Sequence, residues 1–155
     1  MSYRISGLSP APFRPFFGLD DAALAEREMR RYAVDASPSF PCRITLEDLP
    51  AGATALLLNY EHQPAASPYR SRGPIFVREG AKQVAVFENR VPEVLARRVL
   101  SLRGYDGAGF IQAAEVVDGR ELEAAIGRGF ARDDIAYLHA HFAGRGCYAA
   151  RIDRG

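Results

Sequence analysis

Near its C-terminus the chain carries two apolar runs of strand length, Ile135–Phe142 and Cys147–Ile152, on either side of Ala143-Gly144-Arg145-Gly146. Such runs around a short glycine-bearing connection predict an antiparallel hairpin. A lone hairpin cannot bury its apolar face, so it requires a larger sheet. The rest of the sequence supplies one. Val99–Tyr105 and Phe110–Val117 flank the turn Asp106-Gly107-Ala108-Gly109 in the same manner. Pro74–Arg78 and Gln83–Phe87, separated by Glu79-Gly80-Ala81, predict a further hairpin. Thr54–Tyr60 (TALLLNY) reads as a central strand behind the turn Pro50-Ala51-Gly52, and the alternation of Met29–Val34 predicts a first strand.

Helical signals are fewer and short. Ser9 and Pro10 form a cap and first-turn pair, but Pro12 and Pro15 keep any helix there very short. Asp20 or Asp21 is expected to cap a helix through Ala22–Arg27, and Asn89 with Pro92 to open one running to about Arg98. Thr45 with Asp48 predicts a small capping box that starts a single turn. Asp118 with Glu121 is the clearest capping box, followed by an apolar face of Leu122, Ala125, Ile126, Gly129 and Phe130. Prolines crowd the first half, from Pro10, Pro12 and Pro15 through Pro38, Pro41 and Pro50 to Pro64 and Pro68, which predicts a loop-rich N-terminal region. Hairpins outnumber βαβ crossovers. The expected fold class is α+β, an antiparallel or mixed sheet built from hairpins with two to four short helices. A length of 155 residues suits a single domain spanning 1–155.

Composition removes several classes of function. The net charge of +1 leaves no electrostatic footprint for nucleic acid or an anionic membrane. No stretch approaches the ~20 apolar residues of a membrane span. The opening MSYRISGLSPAPFRPFF lacks a basic-then-apolar leader, so a cytoplasmic location with reduced Cys42 and Cys147 is expected. Lys82 is the only lysine, so nineteen of the 20 basic residues are arginine. GC-rich coding accounts for that bias, although arginine is also the better fork for carboxylate or phosphate.

The stretches PCRITLED (Pro41–Asp48), LLLNYEHQP (Leu56–Pro64), SPYRSRGPIFVRE (Ser67–Glu79) and HAHFAGRGCYAARI (His139–Ile152) carry a resemblance. Together with FRPFFGL near the start, they resemble a bacterial family known only as domain of unknown function 1203. The resemblance extends over essentially the whole chain and implies a single-domain bacterial protein of this length. It implies no activity, cofactor or catalytic residue.

Chemistry must therefore be read from the residues themselves. Histidine occurs at His62, His139 and His141 alone. His139 and His141 alternate in a strand and share a face. With an even terminal loop, His141 lies across from Tyr148 on that same face and Cys147 points away; a one-residue bulge in the turn would bring Cys147 round instead. His-x-His on a strand can give a metal two ligands, with His62 a third and water completing an open site. The plainer reading, with one histidine satisfied within the sheet and the other in solvent, is preferred here, and no metal ligand is assigned. Either cysteine could be activated by a neighbouring imidazole, but buried inert thiols are the expectation.

The polar run Asn59-Tyr60-Glu61-His62-Gln63 follows an apolar strand, and Tyr69-Arg70 comes soon after. Polar groups at a strand end often carry binding. The leading expectation is a pocket for a small anionic ligand, lined by Asn59, Tyr60, Tyr69, Arg70, Arg103 and Tyr148. His62, His139 or His141 would act as general base if the protein is an enzyme. No cofactor follows from the sequence. A second expectation is a non-catalytic interaction module, monomeric or homodimeric. In it the edge of the terminal hairpin, or of Pro74–Phe87, pairs with a second copy, and Phe13, Phe16 and Phe17 pack across. A metal-dependent enzyme with a His-x-His site ranks third.

Overall fold

The computed structural model describes residues 1–36 and 39–155. The larger of two sheets contains, from edge to edge, Val86–Glu88 (β5), Tyr3–Ser6 (β1), Tyr148–Arg154 (β9), Tyr137–Phe142 (β8), Val99–Tyr105 (β6) and Ile111–Asp118 (β7). The smaller contains Arg30–Ala33 (β2), Thr54–Gln63 (β3) and Ser71–Arg78 (β4), with β3 in the centre. All neighbouring strands run antiparallel. With the short helices Asp21–Glu26 (α1), Glu93–Ala96 (α2) and Leu122–Phe130 (α3), the fold is α+β as expected. Among the described residues, no helix is long and apolar enough to cross a membrane.

Local chemistry accounts for most of these elements. Asp20 caps α1 by accepting from the Ala23 amide at 2.8 Å. Asp118 accepts from the Arg120 amide at 2.9 Å and so caps the 3-10 turn Gly119–Glu121 ahead of α3; the expected Asp118–Glu121 box does not cap α3 itself, whose first residue follows Glu121 without a side-chain cap. Leu122, Ala125, Ile126 and Phe130 recur at helical spacing and are the buried residues of α3. They join Leu100, Leu102, Leu138, Ala140, Ala150 and Ile152 in one core on the large sheet, each large side chain contributing about 1.5–3 kcal/mol. A second core gathers Phe13, Leu24, Ile44, Leu56, Leu58, Ile75 and Val77 around the small sheet, and it includes Tyr148 of β9. Tyr148 therefore marks where the two halves meet.

Several expectations are corrected. The predicted hairpin of Pro74–Arg78 with Gln83–Phe87 does not form. Ser71–Arg78 pairs instead with β3, and Val86–Glu88 pairs with β1 in the other sheet. The reason is that Ala85 and Phe87 pack on the large-sheet core, which draws the chain across after the turn at Gly80. β1 itself gave too short a pattern to be foreseen. The Thr45–Asp48 capping box is absent: Thr45 Oγ1 has no partner among the described residues, and Asp48 takes Arg98 at 2.6 Å and Arg97 at 3.3 Å. At the N-terminus, Ser9 caps only a turn, and a 3-10 turn follows at Arg14–Phe16. The terminal hairpin offers no free edge, because β8 pairs with β6 and β9 with β1. Phe13 is buried and packs on Tyr60 at 5.7 Å, while Phe16 and Phe17 pack on the small-sheet core.

Glu79 ties the N-terminal segment to the small sheet. It accepts from Arg31 Nε at 2.9 Å and Nη2 at 2.8 Å, and from the Gly18 amide at 2.9 Å. Arg31 chiefly holds its carboxyl below the usual glutamate range, against the opposing effect of burial. A depressed folded pKa contributes stability that is present above the ordinary carboxylate pKa and lost as pH falls through the folded value. Glu79→Gln is therefore expected to lower the melting temperature near neutrality, with the gap closing in acid, as pH falls below the ordinary glutamate range. Thermal melts at both conditions check this, and a gap independent of pH would assign the effect to packing.

Candidate metal centre

The face of β8 turned toward the small sheet carries Tyr137, His139 and His141 in alternation. Across β9, His141 pairs with Tyr148 and Ala140 with Ala150, so a bulge at Ala149 follows Tyr148 and sets Arg151 opposite His139. Across β6, Ser101 faces His141 and Arg103 faces His139. The pairing of His141 with Tyr148 is the one an even loop predicts. The bulge lies inside the strand rather than in the turn, so Cys147 is left half-buried and free.

His62 arrives from the other sheet. β3 continues three residues beyond the expected end at Tyr60, and its register against β4 slips between Tyr60 and Gln63. A bulge of this kind redirects successive side chains. Here both His62 and Gln63 reach the large sheet. Gln63 donates to the Tyr137 hydroxyl at 3.0 Å, and the His62 ring stacks on Tyr148 with centroids 5.3 Å apart.

One nitrogen from each of His62, His139 and His141 lies within 4.8 Å of one from each of the others. His139 and His141 are only 2% and 1% exposed, so the reading that left one of them in solvent is not what the fold does. His141 Nδ1 lies 2.9 Å from the Gly146 carbonyl. A carbonyl only accepts, so the neutral ring carries its proton on Nδ1 and leaves the Nε2 lone pair free. Gly146 holds that carbonyl in a left-handed turn, φ +82°, a conformation glycine adopts without strain. Nε2 of His141, Nδ1 of His62 and Nδ1 of His139 are all buried without a hydrogen-bond partner among the described residues. Leaving such atoms unsatisfied costs about 1–3 kcal/mol each.

Burial is the main cause of low basicity here. It pushes His139 down to about 3, helped by His141 and nearby arginines, and His141 to about 4, while His62 is lowered by burial and then by Arg103. All three rings are therefore neutral at physiological pH, the form in which imidazole binds metals. Aromatic rings enclose them: Tyr148 and Tyr105 lie 5.2 and 5.0 Å from His139. The Tyr148 hydroxyl is raised by burial, so it remains protonated. Arg43, 3% exposed, donates to the Tyr148 carbonyl at 2.8 Å and fixes the strand that holds this ring.

A family model described as a protein of unknown function, DUF1203, matches residues 39–154, which include all three histidines. The chain belongs to the DUF1203 family. No curated protein and no solved structure gives a match. In this DUF1203 chain the remaining sequence-derived candidates separate into two groups. Arg103 and Tyr148 stand beside the histidines, and Tyr60 packs on Phe13 with its hydroxyl raised by burial. Asn59 is exposed and accepts from Arg72, Arg70 pairs with Glu61 at 3.2 Å, and Tyr69 lies edge-on to Phe110 at 5.9 Å. None of those three is brought to the histidines by a hydrogen bond or ring contact. Tyr137 and Arg151 were missed, although the alternation of β8 pointed to Tyr137. Arg43 had no local signal, since its contact with Tyr148 depends on the packing of the two halves.

Proposed function

We propose that this protein binds one divalent first-row transition metal through His62, His139 and His141, and that its chemistry takes place at the open positions of that centre. The observation that carries the reading is the convergence of three neutral imidazoles, two buried and one half-buried, each with one enclosed ring nitrogen that has no hydrogen-bond partner among the described residues. A tetrahedral ion with metal–nitrogen bonds of about 2.0–2.1 Å requires ligand separations near 3.4 Å. The nitrogens, within 4.8 Å of one another, would close to that spacing around a bound ion. Three protein ligands leave room for water or a substrate, the usual arrangement of catalytic rather than structural zinc. Imidazole donors suit zinc, iron, copper and nickel alike. A metal bound here would act as a Lewis acid or activate a bound water. The general-base role ranks below this reading, because rings of such low basicity are weak proton acceptors near neutrality.

The test is metal content after purification without chelator or metal-affinity resin, followed by cobalt titration of stripped protein. Near one equivalent of metal is expected, with cobalt absorption bands that saturate at one equivalent and vanish in His141→Ala. Metal-free protein that takes up no stoichiometric cobalt would sink the reading.

A further inference from the structure

The two cross-strand rows through the histidines continue outward beyond β6. Val116 sits opposite Ser101, which sits opposite His141; Ala114 sits opposite Arg103, which sits opposite His139. Directly paired residues share a face, so Val116, Ala114, Ser101 and Arg103 form a shelf leading from the sheet edge to the histidines. Val99 lies on the same face of β6, two residues from Ser101. Val116 is 70% exposed and Val99 53%, so nothing packs over this end, whereas the other end is closed by Tyr148 and the small sheet. Ala114 and Ser101, the neighbours of Arg103 on this face, carry short side chains, and Ala114 is exposed.

Arg103 is half-buried, and its Nε donates to Ser101 Oγ at 3.3 Å. Among the described residues no carboxylate pairs with it, although twelve other ion pairs occupy the arginines around the molecule. Three neutral imidazoles also leave the charge of a divalent ion uncompensated. Two uncompensated positive centres in a partly dry site favour an anion between them. The apolar lining of Val99, Ala114 and Val116 favours a ligand with a short hydrocarbon portion.

Resting on the metal reading above, we infer that the substrate of this site is a small organic carboxylate that enters along the β6–β7 shelf. Its carboxylate is held by Arg103, and its apolar portion lies on Val99, Ala114 and Val116. A planar guanidinium matches a carboxylate in a two-pronged contact that lysine cannot reproduce.

Isobutyrate is the probe, titrated into cobalt-loaded protein while the cobalt bands are followed. Wild type is expected to show a saturable spectral change. Arg103→Met is expected to bind cobalt at the same stoichiometry with isobutyrate affinity reduced at least about tenfold, the loss of one charge-assisted contact. Arg103→Lys should recover only part of the loss. Ala114→Glu provides a second variant at an exposed position, so it does not depend on how the fold tolerates loss of Arg103. It sets a carboxylate opposite Arg103 and should abolish isobutyrate binding while cobalt binding persists. Cobalt-loaded protein that is blind to isobutyrate, or that binds it equally in Arg103→Met and Ala114→Glu, overturns the carboxylate inference and leaves the metal centre standing. Tighter binding of inorganic phosphate than of isobutyrate also overturns it. Failure of wild type to bind cobalt removes the metal reading and this inference with it.

Discussion

His139→Leu is expected to leave the metal-free protein at least as stable as wild type, and to reverse that order once metal is added. The His139 ring is 2% exposed, and its Nδ1 has no hydrogen-bond partner among the described residues. Without metal, that atom carries an uncompensated desolvation cost of about 1–3 kcal/mol, which an apolar side chain of similar size removes. With metal at a hundredfold excess over its dissociation constant, wild type gains about 2.7 kcal/mol by linkage. The variant lacks one of three ligands and gains little. Denaturant titrations in chelator and in cobalt measure both differences. Equal gains from cobalt in the two proteins would show that His139 is not a ligand. A large loss of stability in chelator would show that the ring is there for packing.

Gly7→Ala should be among the most damaging single-methyl changes in the chain. A Cβ at Gly7 would lie 2.2 Å from the Ile44 carbonyl oxygen and 3.0 Å from that of Arg43, both backbone atoms. Neither can move freely. The Gly7 amide donates to Ala85 at 2.9 Å, the Leu8 amide to Arg43 at 2.7 Å, and the Ala85 amide to Ile44 at 2.9 Å. Three segments from the two halves are laced together at this point. The expected cost is about 3 kcal/mol, the upper end for overpacking, or roughly 10 °C in melting temperature for a chain of this size. Metal affinity should fall too, because displacing Ile44 disturbs Arg43, which holds the Tyr148 carbonyl. Gly144→Ala is the control, since a Cβ there meets nothing within 4 Å. Comparable melting temperatures for the two variants would show that the close approach at Gly7 is not what joins the halves.

The terminal hairpin shows how far local pattern carries. Alternation placed His139 and His141 on one face, and an even loop would set His141 across from Tyr148 where a bulged turn would not; the fold takes the even-loop pairing. The same pattern could not say what covers that face. The small sheet buries the histidines, so neither is left in solvent. His62 was legible as part of a polar run after an apolar strand, but its aim depends on a bulge that no local residue announces. Tyr69 and Arg70 lie close to His62 in sequence, yet they find Phe110 and Glu61 instead. The misplaced hairpin at Pro74–Phe87 has a similar origin, because turn residues specify a reversal but not which sheet receives the returning strand.

The sequence by itself determined the α+β class, the β6–β7 and β8–β9 hairpins and the α1 cap, and it narrowed the facing of the terminal hairpin to two alternatives, of which the fold takes the pairing of His141 with Tyr148. Each of these follows from side-chain alternation, helical spacing or turn chemistry acting over a few residues. Only the tertiary structure decided that His62 meets His139 and His141, that the latter two lose their solvent, and that no carboxylate among the described residues pairs with Arg103 beside them. Those outcomes depend on two sheets closing over one another, and desolvation and charge are set by everything that packs around a group, however distant in the chain.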